Sequence, residues 1–267
     1  HGDCSTLIWQ DTGENYLRWL EFGGAGEEAL SGDCPHSCGL CKEHRSNSVS
    51  AALMVTTECD LACPICFTRG GEPAVPMLEE LRQRLESFKA EAGETALIEL
   101  CGGEPTTRDD LPEIVTMVSG MGFSYIQLNT NGIRIGKEPN YLKSLADSGL
   151  TTVYMGLDGV RPEPYAAKSG RDIFLNKIAA LESCRAAGVA AVLVPCVIPG
   201  ENDDQLGEII AFAKNWMPTV KGVHFQPVSY FGAYPKAPDD SMRITIPEIL
   251  RRLEEQTEGE IPDSAFL

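Results

Sequence analysis

Basic residues are scarce in this chain of 267 residues: 22 Lys and Arg stand against 39 Asp and Glu, the formal net charge is −17, and no basic run occurs. A phosphate backbone is held by clustered cations, so this balance argues against nucleic acid as a partner. Long apolar runs are missing as well. No stretch approaches the roughly 20 residues that cross a bilayer, and the first residues carry neither the basic nor the apolar segment of a signal peptide. The expectation is a soluble, cytoplasmic protein with no transmembrane segment. A further lack is local: the group Cys59, Cys63 and Cys66 has no evident fourth ligand beside it.

Cysteine itself is plentiful. Six of the ten fall in two groups of the same CxxxCxxC spacing, Cys34, Cys38 and Cys41, then Cys59, Cys63 and Cys66. A chain of this length buries a substantial core without disulfide staples. The cysteines therefore read as metal chemistry in a reducing compartment rather than as a disulfide framework. A four-iron, four-sulfur cube normally takes four thiolates, so a loop supplying three leaves one iron open to a small chelating ligand. Zinc is the alternative, although a structural zinc site closes with four ligands; buried free thiols are a third.

Residues 1–47 are rich in Gly, Asp and Glu, with Trp9, Tyr16, Trp19 and Phe22 set among polar residues. They read as a small appendage with one helix over about 15–21, which gains stability from a metal staple at Cys34, Cys38 and Cys41. From residue 48 an alternation of βα units begins. It predicts strands at 51–55, 96–100, 125–129, 152–157, 190–197 and 222–226. Helices are predicted at 77–92, 109–121, 140–148, 172–187 and 204–216, with another opening at Pro247. The run 189–194 is apolar on both faces, as in a parallel sheet covered by helices. A barrel or an open parallel sheet satisfies this pattern.

In such folds ligands bind outside the carboxyl ends of the strands. Past the first strand comes the Cys59 group, past the second Gly102-Gly103-Glu104-Pro105, and past the third Asn129-Thr130-Asn131-Gly132. The fourth ends in Asp158-Gly159, the fifth in Pro199-Gly200-Glu201-Asn202, and the sixth in Gln226-Pro227. Singly, Asn-Gly and Asp-Gly are ordinary turn dipeptides. Together on one rim with a metal loop, these segments describe one cavity.

CxxxCxxC followed by Phe67, with Gly102-Gly103-Glu104-Pro105 after the second strand, resembles the radical S-adenosylmethionine (SAM) superfamily over 48–247. The resemblance implies an α/β fold, a partial (β/α)6 TIM-like barrel behind the small metal-binding appendage. It also implies a [4Fe-4S] cluster on Cys59, Cys63 and Cys66 whose fourth iron is chelated by SAM, and reductive cleavage of SAM to a 5′-deoxyadenosyl radical. Gly102, Gly103 and Glu104 then meet the amino group of the cofactor, Asn129, Asn131 and Asp158 its ribose or carboxylate, and the backbone around Ile198 and Gly200 its adenine. The residue before the last cysteine, often aromatic in the superfamily, is Ile65, and Phe67 is the aromatic expected beside the cofactor.

A narrower resemblance rests on the paired cysteine motifs, residues 153–160, Gly200-Glu201-Asn202-Asp203-Asp204 and Phe225-Gln226-Pro227-Val228-Ser229. It is to the subgroup of class D, methanopterin-type C-methylases and archaeal tetraether lipid synthases. It implies C-methylation or carbon–carbon bond formation on an apolar, lipid-like or heterocyclic small molecule, a second Fe–S cluster or zinc at Cys34, Cys38 and Cys41, and an electron donor such as ferredoxin or flavodoxin. Gly156 stands where many relatives carry a larger polar side chain. The alternatives are a radical SAM peptide maturase with an auxiliary cluster and a zinc-stabilised binding protein. His1-Gly2 looks like the tail of a Cys-Pro-x-His-Gly element. Residues 248–267 are then a helix and the start of a further segment, within a longer protein whose Cys34 site takes its fourth ligand from Cys4, His44 or elsewhere. Cys184 reads as a small core residue; Cys101 and Cys196 read the same way, with places facing the cavity as the alternative.

Overall fold

The computed structural model describes residues 49–92 and 96–266. The appendage at 1–47, with its predicted helix and the Cys34, Cys38 and Cys41 site, lies outside the described residues, as do Cys4 and His44.

Six parallel strands form one sheet in sequential order: β1 (Ser50–Thr56), β2 (Leu97–Gly102), β3 (Tyr125–Thr130), β4 (Thr152–Gly156), β5 (Ala190–Val194) and β7 (Val220–Val223). The helices between them are α1 (Leu78–Ala92), α2 (Leu111–Gly120), α3 (Ile133–Lys137), α4 (Pro139–Asp147), α5 (Glu163–Ser169), α6 (Phe174–Ala187) and α7 (Leu206–Asn215), with α8 (Ile246–Gln256) after the last strand. Strands joined one after another through helices on a single face curl toward a barrel. β1 and β7 do not pair, so this one is a partial, TIM-like barrel.

Strand alternation builds the core. Leu53 and Val55, Ile98 and Leu100, Ile126 and Leu128, Val153 and Met155, and Ala191 and Leu193 are buried in one cluster with helix residues such as Leu81, Leu85, Ile114, Val118, Leu142 and Leu181. Successive strand side chains point to opposite faces. Met54, Glu99, Cys101, Gln127, Asn129 and Tyr154 therefore stand on the opposite, inner face. Cys184 is fully buried in the helix-side cluster, the place its sequence context predicts.

Two differences from the predicted elements have local causes. The strand predicted over 190–197 breaks at Pro195, which has no N–H to donate; β5 ends at Val194, and β6 (Cys196–Val197) pairs instead with β8 (Gln226–Pro227). The helices α3 and α5, five and seven residues long, are too short to show a helical period in the sequence.

Candidate active site at the strand-end rim

The segment carrying Cys59, Cys63 and Cys66 leaves β1 and returns at α1 through a closed neck. Thr57 N donates to Ala74 O at 2.9 Å, and Ala74 N donates to Thr57 Oγ1 at 2.7 Å. Arg108, buried behind the neck, donates from Nη1 to Val55 O at 2.8 Å and to Pro76 O at 2.7 Å, and forks onto Asp110 through Nε and Nη2. One guanidinium thus ties both ends of the cysteine loop. Arg69 Nη1 holds Ala62 O and Cys63 O within the loop, each at 3.1 Å. Cys66 makes a reciprocal backbone pair with Ala233, both bonds 2.9 Å.

Gly102 and Gly103 lie directly against this loop. A Cβ on Gly102, whose φ is +139°, would stand 1.9 Å from Thr56 O, and one on Gly103 would stand 2.1 Å from Glu58 O. No side chain fits. The close approach lets Gly103 N donate to Thr56 O at 2.8 Å and Glu104 N to Glu58 O at 2.7 Å.

Glu104 is 1% exposed. Its Oε1 accepts from Thr106 N (3.0 Å), Thr106 Oγ1 (2.6 Å) and Thr130 Oγ1 (2.7 Å), and its Oε2 accepts from Asn131 N at 2.6 Å. Burial pushes its carboxyl above the usual range, and these donors pull against that. A carboxylate has about four acceptor directions. Oε2, with a single donor, retains one for a ligand. Asn131 extends the connection, its Nδ2 donating to Asp60 Oδ1 in the cysteine loop at 2.6 Å.

Asp158 is also buried. Its Oδ1 accepts from Lys168 Nζ at 2.9 Å and Cys196 N at 3.2 Å, while Asn202 Nδ2 ties Asp158 O to Cys196 O and Asn202 Oδ1 receives Ile198 N. Gly200, at φ +77°, donates its N–H to Asp203 Oδ1 at 2.9 Å. Ile198 lies in a second apolar cluster, where Ile65 packs against it. These two also line a cavity of about 420 Å³ with Pro199, Tyr230 and Met242. Phe67, the aromatic expected beside the cofactor, is 70% exposed, and Ile65 shares the cavity lining with Ile198.

Lys177 gives no sign of a site role in its composition, yet it lies beneath this rim, 2% exposed, with Nζ donating to Asn131 O. Its signal was positional: on α6 it continues the buried stripe of Ile173, Ala180, Leu181 and Cys184. Burial lowers its amine from 10.5 to about 8. The folded protein therefore releases this proton near pH 8, and the unfolded chain keeps it to about 10.5. Between those values the unfolded state binds more protons, so stability rises with pH. Urea unfolding should show wild type gaining about 3 kcal/mol relative to Lys177→Met across that window; parallel profiles would refute the buried amine.

On the inner face a polar row crosses β2, β3 and β4. Gln127 Nε2 donates to Asn129 Oδ1 at 2.8 Å, and Asn129 Nδ2 reaches Glu99 Oε2 at 3.4 Å. Tyr154 hydroxyl bonds His224 Nδ1, with the rings edge to face at 5.5 Å between centroids. Burial, then the Glu99 charge, push the Tyr154 phenol up to about 12, keeping it neutral. Glu99 and His224 are absent from the sequence expectations. His224 shares strand parity with Gly222 just past β7, which is the signal that marks it. Asn129 thus sits in this inner row, away from the hydrogen bonds that join Glu104, Asn131 and Asp60.

Cys59, Cys63, Cys66, Cys101 and Cys196 are free thiols outside the helix-side core. Burial pushes Cys59 up to about 11, and Cys63 also rises, with Lys168 pulling the other way. Among the described residues no three His, Cys, Asp or Glu side chains converge closely enough to hold a single metal ion, and no helix is long and apolar enough to cross a membrane.

Comparison with known proteins places this rim in a wider context. The chain is 38% identical to 7,8-dihydro-6-hydroxymethylpterin dimethyltransferase of Methanocaldococcus jannaschii, over 100% of this chain and 54% of that protein. It is 30% identical to GTP 3′,8-cyclase 3 of Mycobacterium bovis, over 66% of this chain and 48% of that protein. The chain thus spans about half the length of these curated relatives. Among solved structures, Streptococcus suis SuiB superposes with a TM-score of 0.64 at 18% identity, covering 80% of this chain and 46% of SuiB. A radical SAM methyltransferase from Sphaerobacter thermophilus gives 0.59 at 18% identity, covering 80% and 64%. These likenesses show the shared fold. The profile described as the radical SAM superfamily matches residues 53–213, from β1 to α7 and through every rim segment up to that helix, and the chain belongs to that superfamily.

Proposed function

We propose that Cys59, Cys63 and Cys66 hold a [4Fe-4S] cluster, that the rim binds SAM, and that the enzyme methylates a carbon of a pterin-type heterocycle. The donor set supports the cluster: three free thiols at CxxxCxxC spacing stand on one tethered loop. A cube takes one thiolate per iron, so three thiolates leave one iron open to a chelating ligand. When bound, cluster and SAM supply one-electron chemistry able to open an unactivated C–H bond.

The chain's own residues bind and orient. Gly102 and Gly103 bring the second strand end against the cysteine loop, and Glu104 presents the remaining acceptor direction of Oε2 to an ammonium group. Asn131 links that acceptor to the loop, and Asp158, held by Lys168, braces β4 against Cys196. Ile65, Ile198 and Pro199 border the cavity that would take adenine, with Gly200 next in the chain. Phe67 is left as an exposed neighbour. A low-potential donor such as ferredoxin or flavodoxin would deliver the electron, and Cys34, Cys38 and Cys41 would hold a second Fe–S cluster or zinc.

The observation that carries the substrate class is the polar inner face at Glu99, Gln127, Asn129 and Tyr154, which suits a hydrogen-bonding ring over a lipid-like chain. The identity with the pterin dimethyltransferase along the whole chain supports the same class. Anaerobic incubation of the reconstituted full-length protein with a reductant, 7,8-dihydro-6-hydroxymethylpterin, SAM as the radical source, and a one-carbon donor, run in parallel as further SAM and as a methylene-carrying reduced pterin, should yield a pterin heavier by one or two methyl groups by mass spectrometry. SAM cleavage with the pterin unchanged would reject this substrate class.

A further inference from the structure

We infer that Glu99 and Gln127 read the amino-pyrimidinone edge of the substrate, an inference that rests on the pterin reading above. The two residues are direct neighbours across the β2–β3 pair. The hydrogen bonds of the inner row run in one direction, from Gln127 Nε2 to Asn129 Oδ1 and from Asn129 Nδ2 to Glu99 Oε2. All donors of that relay point toward Glu99, which therefore ends it as an acceptor. Glu99 has no cation partner among the described residues, and its single hydrogen bond is the long one from Asn129, at 3.4 Å. A half-buried carboxylate with most of its acceptor directions open is free to take a donor-rich ligand. Gln127 Oε1, in a buried residue, adds a neutral acceptor beside it.

Across the inner face, beside Val192 and the Tyr154–His224 pair, two glycines leave open space. Gly222 lies in register with Val192 and so in the row of Asn129 and Tyr154, and Gly156 lies in the next row; a Cβ on either would meet nothing within 4 Å. A flat ring can lie against those glycines with its edge toward β2 and β3. The pterin edge carries two adjacent donors, the exocyclic amino group and the neighbouring ring N–H, the spacing a carboxylate accepts in a paired fashion. A lipid-like substrate would leave Glu99 buried and unpaired, at a cost that disfavours it.

Titration of the reconstituted full-length protein with 7,8-dihydro-6-hydroxymethylpterin and with its analogue lacking the amino group separates the possibilities. Wild type should bind the pterin about 30- to 100-fold more tightly than the analogue, the difference of a charge-assisted pair. Glu99→Gln should lose that preference and bind both ligands alike, with a thermal midpoint close to wild type. If Glu99→Gln proves unstable, Glu99→Asp, which keeps the charge but withdraws it, should show a reduced preference. A variant that retains the full preference, while wild type methylates the pterin, overturns the assignment to Glu99 and leaves the pterin reading standing. Wild type that neither binds nor methylates the pterin overturns both.

Discussion

Under the proposed assignment, Cys63→Ala should abolish reductive cleavage of SAM. The expected loss is at least about 10³-fold, roughly 4 kcal/mol on the barrier, because a cube held by three cysteines has no spare ligand and the alanine leaves one iron uncoordinated. The effect should be chemical and not structural. Cys63 is absent from both large apolar clusters, and the backbone at its position is held by Arg69 through the carbonyls of Ala62 and Cys63, which the substitution retains. The neck at Thr57 and Ala74 and the Arg108 tie are likewise untouched. Chromatography of 5′-deoxyadenosine formed under reducing conditions measures the loss, and far-ultraviolet circular dichroism should be unchanged. Cys38→Ala, in the second cysteine group, should retain part of the cleavage while losing the second metal. Equal and complete loss in both variants, with the fold intact, would contradict the division of labour between the two groups.

Glu104→Ala carries the second large effect. The carboxylate accepts four hydrogen bonds, and its loss leaves Thr106 N, Thr130 Oγ1 and Asn131 N without their acceptor in a buried site. Each unsatisfied buried donor costs about 1–3 kcal/mol, so the sum over relaxed neighbours is of order 3–5 kcal/mol. The same change removes the acceptor direction at Oε2 offered to the cofactor's ammonium group. Glu104→Gln separates these contributions. An amide keeps one oxygen for the donors but turns an N–H₂ toward the other, so stability should fall less than in the alanine variant while SAM affinity falls comparably. Urea unfolding and equilibrium binding of SAM measure the two quantities. Wild-type SAM affinity in Glu104→Gln would confine Glu104 to a bracing role.

Much of this organisation is legible in the residues themselves. Five of the six parallel strands follow from short apolar runs alternating with helical segments, and the five longer helices from their repeating buried positions, Leu81 and Leu85 or Ile114 and Val118; the sixth strand lies at Val220–Val223, earlier than the predicted 222–226, because residues 226–227 pair with Cys196–Val197 instead. The rim follows from the same reading, because parallel strands bring their carboxyl ends to one side. Contacts that depend on tertiary proximity are less visible. The glycines at 102 and 103 suggest a close approach, but only the packed structure shows that the Thr56 and Glu58 carbonyls make it. Arg108 is 32 residues from Pro76 and 53 from Val55, and nothing local announces that it ties them. Glu99 reads as a polar residue on a half-buried strand until the row from Gln127 through Asn129 gives it a direction. Phe67 is 70% exposed on the rim, while Ile65 packs against the second apolar cluster, a difference that residue type alone does not announce.

The most direct test of the three-cysteine site is Mössbauer spectroscopy of iron-57-reconstituted protein in which Cys34, Cys38 and Cys41 are all replaced by alanine, recorded with and without SAM. A [4Fe-4S] cluster on Cys59, Cys63 and Cys66 should appear, with one iron in four changing its isomer shift when SAM is added. Absence of a cluster in that variant, or four irons that respond identically to SAM, would contradict a cube with one open iron on this loop.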